Sequence, residues 1–361
     1  MFLLSRRTSL SMLAGAPLAL AACAQGKNDK ADAAFKAVGD KWLEGALRLS
    51  PVFATAMGEH RHDAELDDLS AAGRKAQLDF AKEILAELEA LDRKGFSKAD
   101  QVDAALLENN LRFQIWDTEV LQSWAWDPIP YNSFAGGALY GLMSREFAPL
   151  EARLKAASSR MAKLPAAFAQ MREALDPKRV PKVHADTVAA QNRGLLSLVD
   201  GEVMTKAGAL TGADREAIDK AAKDLKAAVE EHQVWLDKAL VPSAAGNFRL
   251  GQKLYDEKLA FALFSPLSRA EIKTRSEAGI AATRKEMYEV ARKALAGRPG
   301  APAAPDNPDA ATEQKVVAAA FAISNADRPP RDKVVEACQR ALAQATAFCR
   351  EKDFVTVPTR R

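Results

Sequence analysis

Apolar residues recur every three to four positions along most of this 361-residue chain, which is the spacing of one face of an α-helix. The pattern predicts helices over about 33–49, 71–93, 98–120, 145–175, 183–204, 214–240, 252–264, 269–295, 311–324 and 331–352. A short helix over 52–57 fits between Pro51 and Gly58, since proline suits a first helical turn and glycine suits a helix end. Only the terminal FVTVP segment shows the alternation expected of a β-strand. The sequence therefore predicts an all-α fold, a multi-helix shell of long amphipathic helices.

Two segments interrupt the helical pattern. The first is WAWDPIPYNSFAGGALYG, residues 124–141, where Pro128 and Pro130 favour an extended backbone and two glycines permit a turn. Its aromatic residues either pack against the core or line a substrate groove, so Tyr131 is a candidate groove-lining residue. The second is GRPGAPAAPDNPD, residues 297–309, which is predicted to be a linker or surface loop.

Two helical stripes are predicted to face the core. Behind a cap at Ser97, the stripe on the helix over 98–120 carries one polar member, Asn109, whose amide we expect to be hydrogen-bonded within the core. Its apolar members are Val102, Ala105 or Leu106, Phe113, Trp116 and Val120. The second stripe includes Cys338 and Cys349, eleven residues apart and about 16 Å along one helix, too far for a disulfide. We expect both thiols to be small buried side chains.

The N-terminus predicts export. Arg6 and Arg7 precede a short Ala- and Leu-rich run over 10–22, which is typical of a signal peptide and too short to cross a bilayer. The run ends in LAAC, which is typical of a bacterial lipoprotein and predicts lipidation of Cys23. Residues 23–32 would then form a polar tether. The paired arginines leave both the general secretory and the twin-arginine routes open. Because Ala24 is not aspartate, an outer-membrane anchor facing the periplasm is expected.

Charge gives no sign of a nucleic-acid partner. Removing the signal peptide with Arg6 and Arg7 lowers the formal net charge from +3 to +1. The remaining charges are spread over many helices, whereas a nucleic-acid-binding protein concentrates basic residues in a patch. The partner expected from the N-terminus is the membrane, through the lipid at Cys23.

Polar residues are densest in the segment Ser50–Ser70, SPVFATAMGEHRHDAELDDLS. His60, Arg61 and Asp63 are candidate groove-lining residues here. A metal bound by the two histidines of this segment is one reading, and a polar loop after a short helix is the other. The histidine at 232 follows two glutamates and is predicted to lie on a helix surface.

Recognisable catalytic motifs are missing. None of the four histidines belongs to a His-Glu-x-x-His motif, and the chain contains neither a Gly-x-Ser-x-Gly elbow nor a phosphate-binding P-loop. The sequence therefore assigns no catalytic residue and no metal ligand.

Four motifs in order, SPVFATAMGEHRHDAELDDLS, WDPIPY, FRLGQKLYDEKL and KDFVTVP, resemble the bacterial domain-of-unknown-function 885 family. The resemblance covers about 33–358 and implies a largely helical, exported protein, similar to the N-terminal half of a zinc-dependent peptidase. Peptides are the partners that this resemblance implies. The family's His-Glu…His metal motif lies beyond the Thr-Val-Pro region, and the sequence stops at Arg361. No zinc ligand can be carried over, so zinc is expected only with that further part.

Two functions follow as hypotheses. In the first, residues 33–361 form the scaffold and substrate-channel half of a peptidase-like lipoprotein, non-catalytic as written. In the second, the chain is an independent periplasmic binding or interaction lipoprotein with a helical groove. The first hypothesis also predicts exposed apolar helix faces that favour association.

Overall fold

The structure, a computed structural model, describes the backbone of residues 18–326 and 328–358 and the side chains from residue 30 onward. Its helices are α1 (Leu18–Leu49), α2 (Pro51–Met57), α3 (Ala71–Glu89), α4 (Lys98–Trp116), α5 (Ile129–Met143), α6 (Leu150–Ala174), α7 (Lys182–Gln191), α8 (Gly194–Leu198), α9 (Gly212–Trp235), α10 (Val241–Ser243), α11 (Gln252–Leu263), α12 (Arg269–Leu295), α13 (Ala310–Ala326) and α14 (Val334–Lys352). Wider π-helical turns extend α4 over Asp117–Leu121 and α9 over Leu236–Leu240.

The prediction of an all-α fold is confirmed. The described residues contain no strand, and their only β-type pairing is an isolated bridge between Pro181 and Gly246. None of the described helices is both long and apolar enough to cross a membrane. The predicted signal peptide lies largely outside the described residues, and the side chain of Cys23 lies outside them too. Helical backbone of α1 runs through the predicted tether, 23–32.

Helix ends follow local chemistry. The Ser97 hydroxyl accepts a hydrogen bond from the Asp100 N–H at 3.2 Å, which confirms that predicted cap. Ser268 and Glu271 exchange hydrogen bonds in a complete capping box at the start of α12. At the end of α2, Gly58 adopts φ = 88°, a left-handed conformation that glycine tolerates best. These boundaries are therefore encoded within a few residues.

The described chain divides into two compact units, the first ending at Pro266 and the second beginning at Leu267. In the first, α6 and α9 pack along their lengths, and α5 packs on α6. The buried stripe of α6 comprises Leu154, Ala157, Met161, Leu164, Phe168 and Met171, and that of α9 comprises Ile218, Ala221, Leu225 and Val229. This spacing of three and four residues aligns both stripes along one interface. A smaller cluster joins α1, α3 and α4.

The second unit has a small core between α12 and α13. Tyr288, Ala291 and Leu295 from α12 pack with Val316 from α13, and the Tyr288 hydroxyl donates to the Pro305 carbonyl at 2.6 Å. The predicted linker over 297–309 is non-helical, as expected. No residue of α14 is buried.

The loop predicted for residues 124–141 is largely wrong. Only its first part is irregular, and α5 begins at Ile129. Pro130 lies in the first turn, where its missing N–H costs no helical hydrogen bond. The glycines are helical as well, and a Cβ at two of them would be at ordinary packing distance from α2: 3.9 Å from Val52 for Gly137 and 3.5 Å from Thr55 for Gly141.

Two predicted core stripes are also wrong. On α4 the buried residues are Ala104, Leu107 and Leu111, which lie opposite the predicted stripe. On α14, Cys338 is exposed and Cys349 is partly exposed. Periodicity identifies an amphipathic face but does not say whether a neighbour covers it.

Candidate functional site

The segment Ser50–Ser70 forms α2 and an irregular return to α3. The Gly58 N–H donates to the Thr55 carbonyl at 3.1 Å and closes α2, and the Ser70 hydroxyl accepts from the Gly73 N–H at 3.1 Å and opens α3. A Cβ on Gly73 would lie 2.1 Å from the Asp68 carbonyl oxygen, so this turn requires glycine. The loop between 58 and 70 is thus held at both ends by local hydrogen bonds.

A fully buried arginine, Arg160 of α6, lies behind this loop. Its Nε donates to the Glu65 carbonyl at 2.9 Å, and its Nη1 donates to the Ala138 carbonyl of α5 at 2.9 Å. Its Nη2 contacts the Pro51 carbonyl at 3.0 Å and the Thr55 hydroxyl at 2.7 Å. One side chain therefore joins α2, the loop, α5 and α6.

The charge of Arg160 is balanced locally. Burial lowers the pKa of Arg160, whereas the carboxylates of Asp63, Asp67 and Glu65 raise it. Guanidinium remains protonated under ordinary conditions, so a buried cation here needs both its acceptors and these anions.

Hydrogen bonds continue from Arg160 to two of the candidate residues. The Thr55 hydroxyl donates to Asp63 Oδ1 at 2.6 Å, and Asp63 Oδ2 lies 3.0 Å from His60 Nδ1. The His60 ring lies flat against Phe147, with ring centroids 3.6 Å apart and planes 7° apart. The predicted residues His60 and Asp63 are thus brought together, in one chain of contacts that ends on Arg160.

Asp67 occupies the opposite side of this network. Its Oδ1 accepts from the Val52 N–H in the first turn of α2 at 2.9 Å. Burial raises the pKa of Asp67 to about 6, although the Val52 N–H and the charge of Arg160 act in the lowering direction. The Asp67 carboxyl therefore titrates near pH 6.

Arg61 points away from the buried network. Its guanidinium grips Glu44 of α1 through two hydrogen bonds, at 3.0 and 2.7 Å, and its Nε donates to Glu59 at 2.9 Å. The hydrogen bonds that Glu59 accepts from Arg61 lower the pKa of Glu59 to about 2. The described contacts of Arg61 tie the loop to α1. That Arg61 lines a groove therefore stays a prediction.

Tyr131 lies in different surroundings from the other three candidates. Its hydroxyl donates to the Trp124 carbonyl at 2.9 Å, and burial raises its pKa. With Asn192 and His232 it lines an enclosed cavity of about 20 Å³, room for about one water molecule. Tyr131 therefore borders a small internal cavity behind the start of α5.

The surface position predicted for residue 232 is wrong. His232 is 7% exposed. Its ring stacks on those of Phe168 and Trp235, with ring centroids 4.7 and 5.5 Å away. Burial, with the charge of Arg172, lowers the pKa of His232 to about 4, so the imidazole is neutral at pH 7. The two glutamates before it are exposed. The predicted surface position is therefore correct for the glutamates and wrong for His232.

The described residues do not fit a zinc ion. No group of three or more His, Cys, Asp or Glu side chains among them is arranged to hold a metal. His60 has one carboxylate neighbour, and His184 lies 3.3 Å from Asp127 and stacks on Trp126. Structural zinc needs four protein ligands and catalytic zinc three, and these histidines do not have such a set around them.

A family model named "Bacterial protein of unknown function (DUF885)" matches residues 51–361. The chain belongs to the DUF885 family. The matched region begins at the first residue of α2 and includes His60, Asp63, Tyr131 and Arg160. No curated protein matches this DUF885 chain.

The fold has a counterpart among solved structures. The chain is similar to a Shewanella oneidensis protein described as "a putative lipoprotein of unknown function", with a TM-score of 0.70 and 24% identity over 90% of this chain. The DUF885 chain spans 59% of that protein's length. At this identity the likeness shows a shared fold.

Sequence reasoning missed Arg160, although a signal was present. Arg153 and Arg160 are seven residues apart on the apolar stripe of α6, and both are buried. Charged residues at core positions of a helix are rarely fully buried unless their donors are satisfied. An arginine on such a stripe therefore predicts a buried hydrogen-bonding centre.

Proposed function

We propose that this DUF885 chain is the helical scaffold and substrate-channel part of a peptidase-like lipoprotein of the cell envelope. The proposal is supported by the contacts that the polar residues of Ser50–Ser70 make. His60, Asp63 and Thr55 contact one another, and the series ends on buried Arg160. In this proposal, the described residues hold the walls of the channel in place and supply no reacting group.

The contacts of Arg160 explain why such a cluster suits a scaffold. Its donors are taken by two main-chain carbonyls of helices, one loop carbonyl and a hydroxyl. A substrate anion would have to displace these buried partners, each of which would then lose its hydrogen bond. The arrangement holds α2, α5 and α6 together, and each of the three guanidinium nitrogens already has a protein acceptor.

Zinc enters the proposal only with a further part of the fold. When bound in a peptidase, zinc polarises the scissile carbonyl and activates water. The ligand set for that chemistry is not formed by the described residues. Peptides are the proposed ligands of the channel, because the family resemblance implies a peptidase.

Metal content and proteolysis test this proposal together. Purified full chain is measured for bound zinc and incubated with a digest of unfolded protein, with and without a chelator. We expect less than stoichiometric zinc and no chelator-sensitive cleavage. One zinc ion per chain together with cleavage that the chelator abolishes would refute the scaffold function.

Envelope anchoring is the second component of the proposal. It is supported by Cys23 at the end of the apolar run and by the description of the similar Shewanella protein as a lipoprotein. The proposed site is the periplasmic face of the outer membrane. Cells labelled with a tagged fatty acid should yield a labelled chain in the membrane fraction, and Cys23→Ser should remove the label. Equal labelling of both chains would exclude this anchor.

A binding lipoprotein is the second candidate function, favoured by an open groove of about 690 Å³ beside the first turn of α7. Val183 and Phe248, both about half exposed, supply its apolar walls. A peptide library should raise the melting temperature of the wild type and not that of Phe248→Ala. Phe53→Ala, at a residue that is also half exposed on α2, is the control.

A further inference from the structure

The outer face of α4 carries an apolar strip along its whole length. Val102, Leu106 and Val120 are each about half exposed, and Phe113 and Trp116 lie between them. From Val102 to Val120 the strip extends for about 27 Å. The opposite face of α4 is buried against its neighbours in the first unit, so α4 itself is firmly held.

One short helix, α11, covers the middle of this strip. The Phe261 ring lies 5.8 Å from Phe113 and 5.7 Å from Trp116, measured between ring centroids. The Trp116 indole N–H donates to Glu257 at 2.7 Å, and the Asn109 amide donates to the Phe261 carbonyl at 3.1 Å. The attachment of α11 to α4 includes one aromatic side chain, two hydrogen bonds and the charge of Lys258 near Asp117.

α11 is weakly held for a helix of a folded domain. None of the residues from Gln252 to Leu263 is buried. Helices of this length are marginal in water unless tertiary packing supports them. Segments with few buried apolar contacts open at free energies well below that of global unfolding.

A residue with positive φ stands at each end of α11. Gly251, before its first residue, has φ = 79°, and Phe264, after its last, has φ = 45°. The left-handed region is unfavourable for a side chain as large as that of Phe264. Releasing α11 would let Phe264 return to an ordinary conformation, so the strain opposes closure.

We infer that α11 is a latch, which closes over the apolar strip of α4 and opens without unfolding the rest of the first unit. Asn109, Phe113 and Trp116 form its seat, and Phe261 is the side chain that inserts. In the open state the strip from Val102 to Val120 becomes continuous and is exposed to solvent. The polar residue Asn109 within an otherwise apolar stripe is explained by this role, because its amide holds the latch backbone.

Hydrogen exchange of the full chain tests the latch. A detached α11 loses its helix, so its amides should exchange on the order of 100-fold faster than those of α6. Phe261→Ala should speed the exchange of α11 about tenfold more, since it removes the aromatic contacts, and should increase binding of a hydrophobic dye. Exchange in α4 and α6 should not change.

The matched control is Tyr255→Ala, which removes a half-exposed aromatic from the same helix. It should leave both α11 exchange and dye binding as in the wild type. The latch is refuted if wild-type α11 exchanges as slowly as α6. It is also refuted if Phe261→Ala and Tyr255→Ala have equal effects, because α11 would then not be closed through Phe261.

Discussion

The guanidinium of Arg160 and the hydroxyl of Thr55 meet 2.7 Å apart in the interior, although 105 residues separate them in the sequence. Thr55 links Arg160 to Asp63, because its hydroxyl also donates to the Asp63 carboxylate. The buried cation of α6 is thereby connected to the carboxylate that faces His60. This connection holds the loop after α2 in one position relative to the main helical core.

Removing the hydroxyl that makes this connection should destabilise the protein. Thr55→Val keeps the shape of the side chain but leaves a guanidinium donor and the Asp63 carboxylate with one partner fewer each. We expect a loss of about 1–3 kcal/mol in the free energy of unfolding, measured with urea. Thr205→Val is the control, because the exposed Thr205 hydroxyl contacts only the preceding turn. Equal effects of the two substitutions would contradict the role given to Thr55.

Two buried groups should affect the pH dependence of stability in opposite directions. The pKa of His232 is lowered from 6.5 to about 4, so between these values the unfolded chain binds a proton that the folded chain does not. Stability from this group is therefore present above pH 6.5 and is lost as the pH falls towards 4. The pKa of Asp67 is raised from 3.8 to about 6, so the folded chain binds the proton first. Its contribution rises as the pH falls from about 6 to 3.8.

Single substitutions should separate these two contributions. Relative to the wild type, His232→Phe should gain stability as the pH is lowered from 6.5 to 4, because the unfavourable titration is gone. Asp67→Asn should lose stability over about the same range. Each slope reaches at most about 1.4 kcal/mol per pH unit, since one proton is involved. Urea unfolding at several pH values measures both, and parallel curves for all three proteins would contradict the assigned shifts.

The pairing of the segments around Pro181 and Gly246 should depend on glycine. The Gly246 N–H donates to the Val180 carbonyl at 2.9 Å, and a Cβ at this position would lie 1.8 Å from the Arg179 carbonyl oxygen. Gly246→Ala should cost about 1–3 kcal/mol, because main-chain atoms must move apart. Gly194→Ala is the control: it has open space and should be neutral or stabilising. A neutral Gly246→Ala in thermal unfolding would disprove this close approach.

The apolar face of α14 should promote association. Val335, Leu342 and Phe348 are 70%, 68% and 51% exposed. Leu342→Glu should therefore reduce hydrophobic-dye binding and shift the chain towards monomer in sedimentation experiments. Gln344→Glu adds the same charge on the polar side of α14 and should change neither. A wild-type chain that is monomeric and binds no dye would contradict this prediction.

Local chemistry made much of the architecture predictable from the sequence. Ser97, Gly58 and the Ser268–Glu271 pair define helix ends because their hydrogen bonds involve residues at most four positions away. The start of α5 was missed, since Pro130 can both begin a helix and break one. The local sequence alone does not decide between these two outcomes.

Positions within the site were harder to predict, because they depend on distant partners. His60 and Asp63 are close in sequence and are found in contact. Their connection to Arg160 spans about a hundred residues, and the burial of His232 depends on Phe168 from another helix. Helical periodicity likewise could not show that α11 rather than the core would cover Phe113 and Trp116.

The most direct test of the scaffold account is the free energy of unfolding of Arg160→Met. Methionine fills similar space but removes one hydrogen bond from each of the Pro51, Ala138 and Glu65 carbonyls and leaves Asp63 without its cation. We expect this free energy to fall by about 3–5 kcal/mol, with faster hydrogen exchange confined to α2 and residues 58–70. Arg193→Met, which breaks an exposed pair with Glu230, should leave stability unchanged. An Arg160→Met protein as stable as the wild type would show that Arg160 does not hold this segment, and would contradict the account.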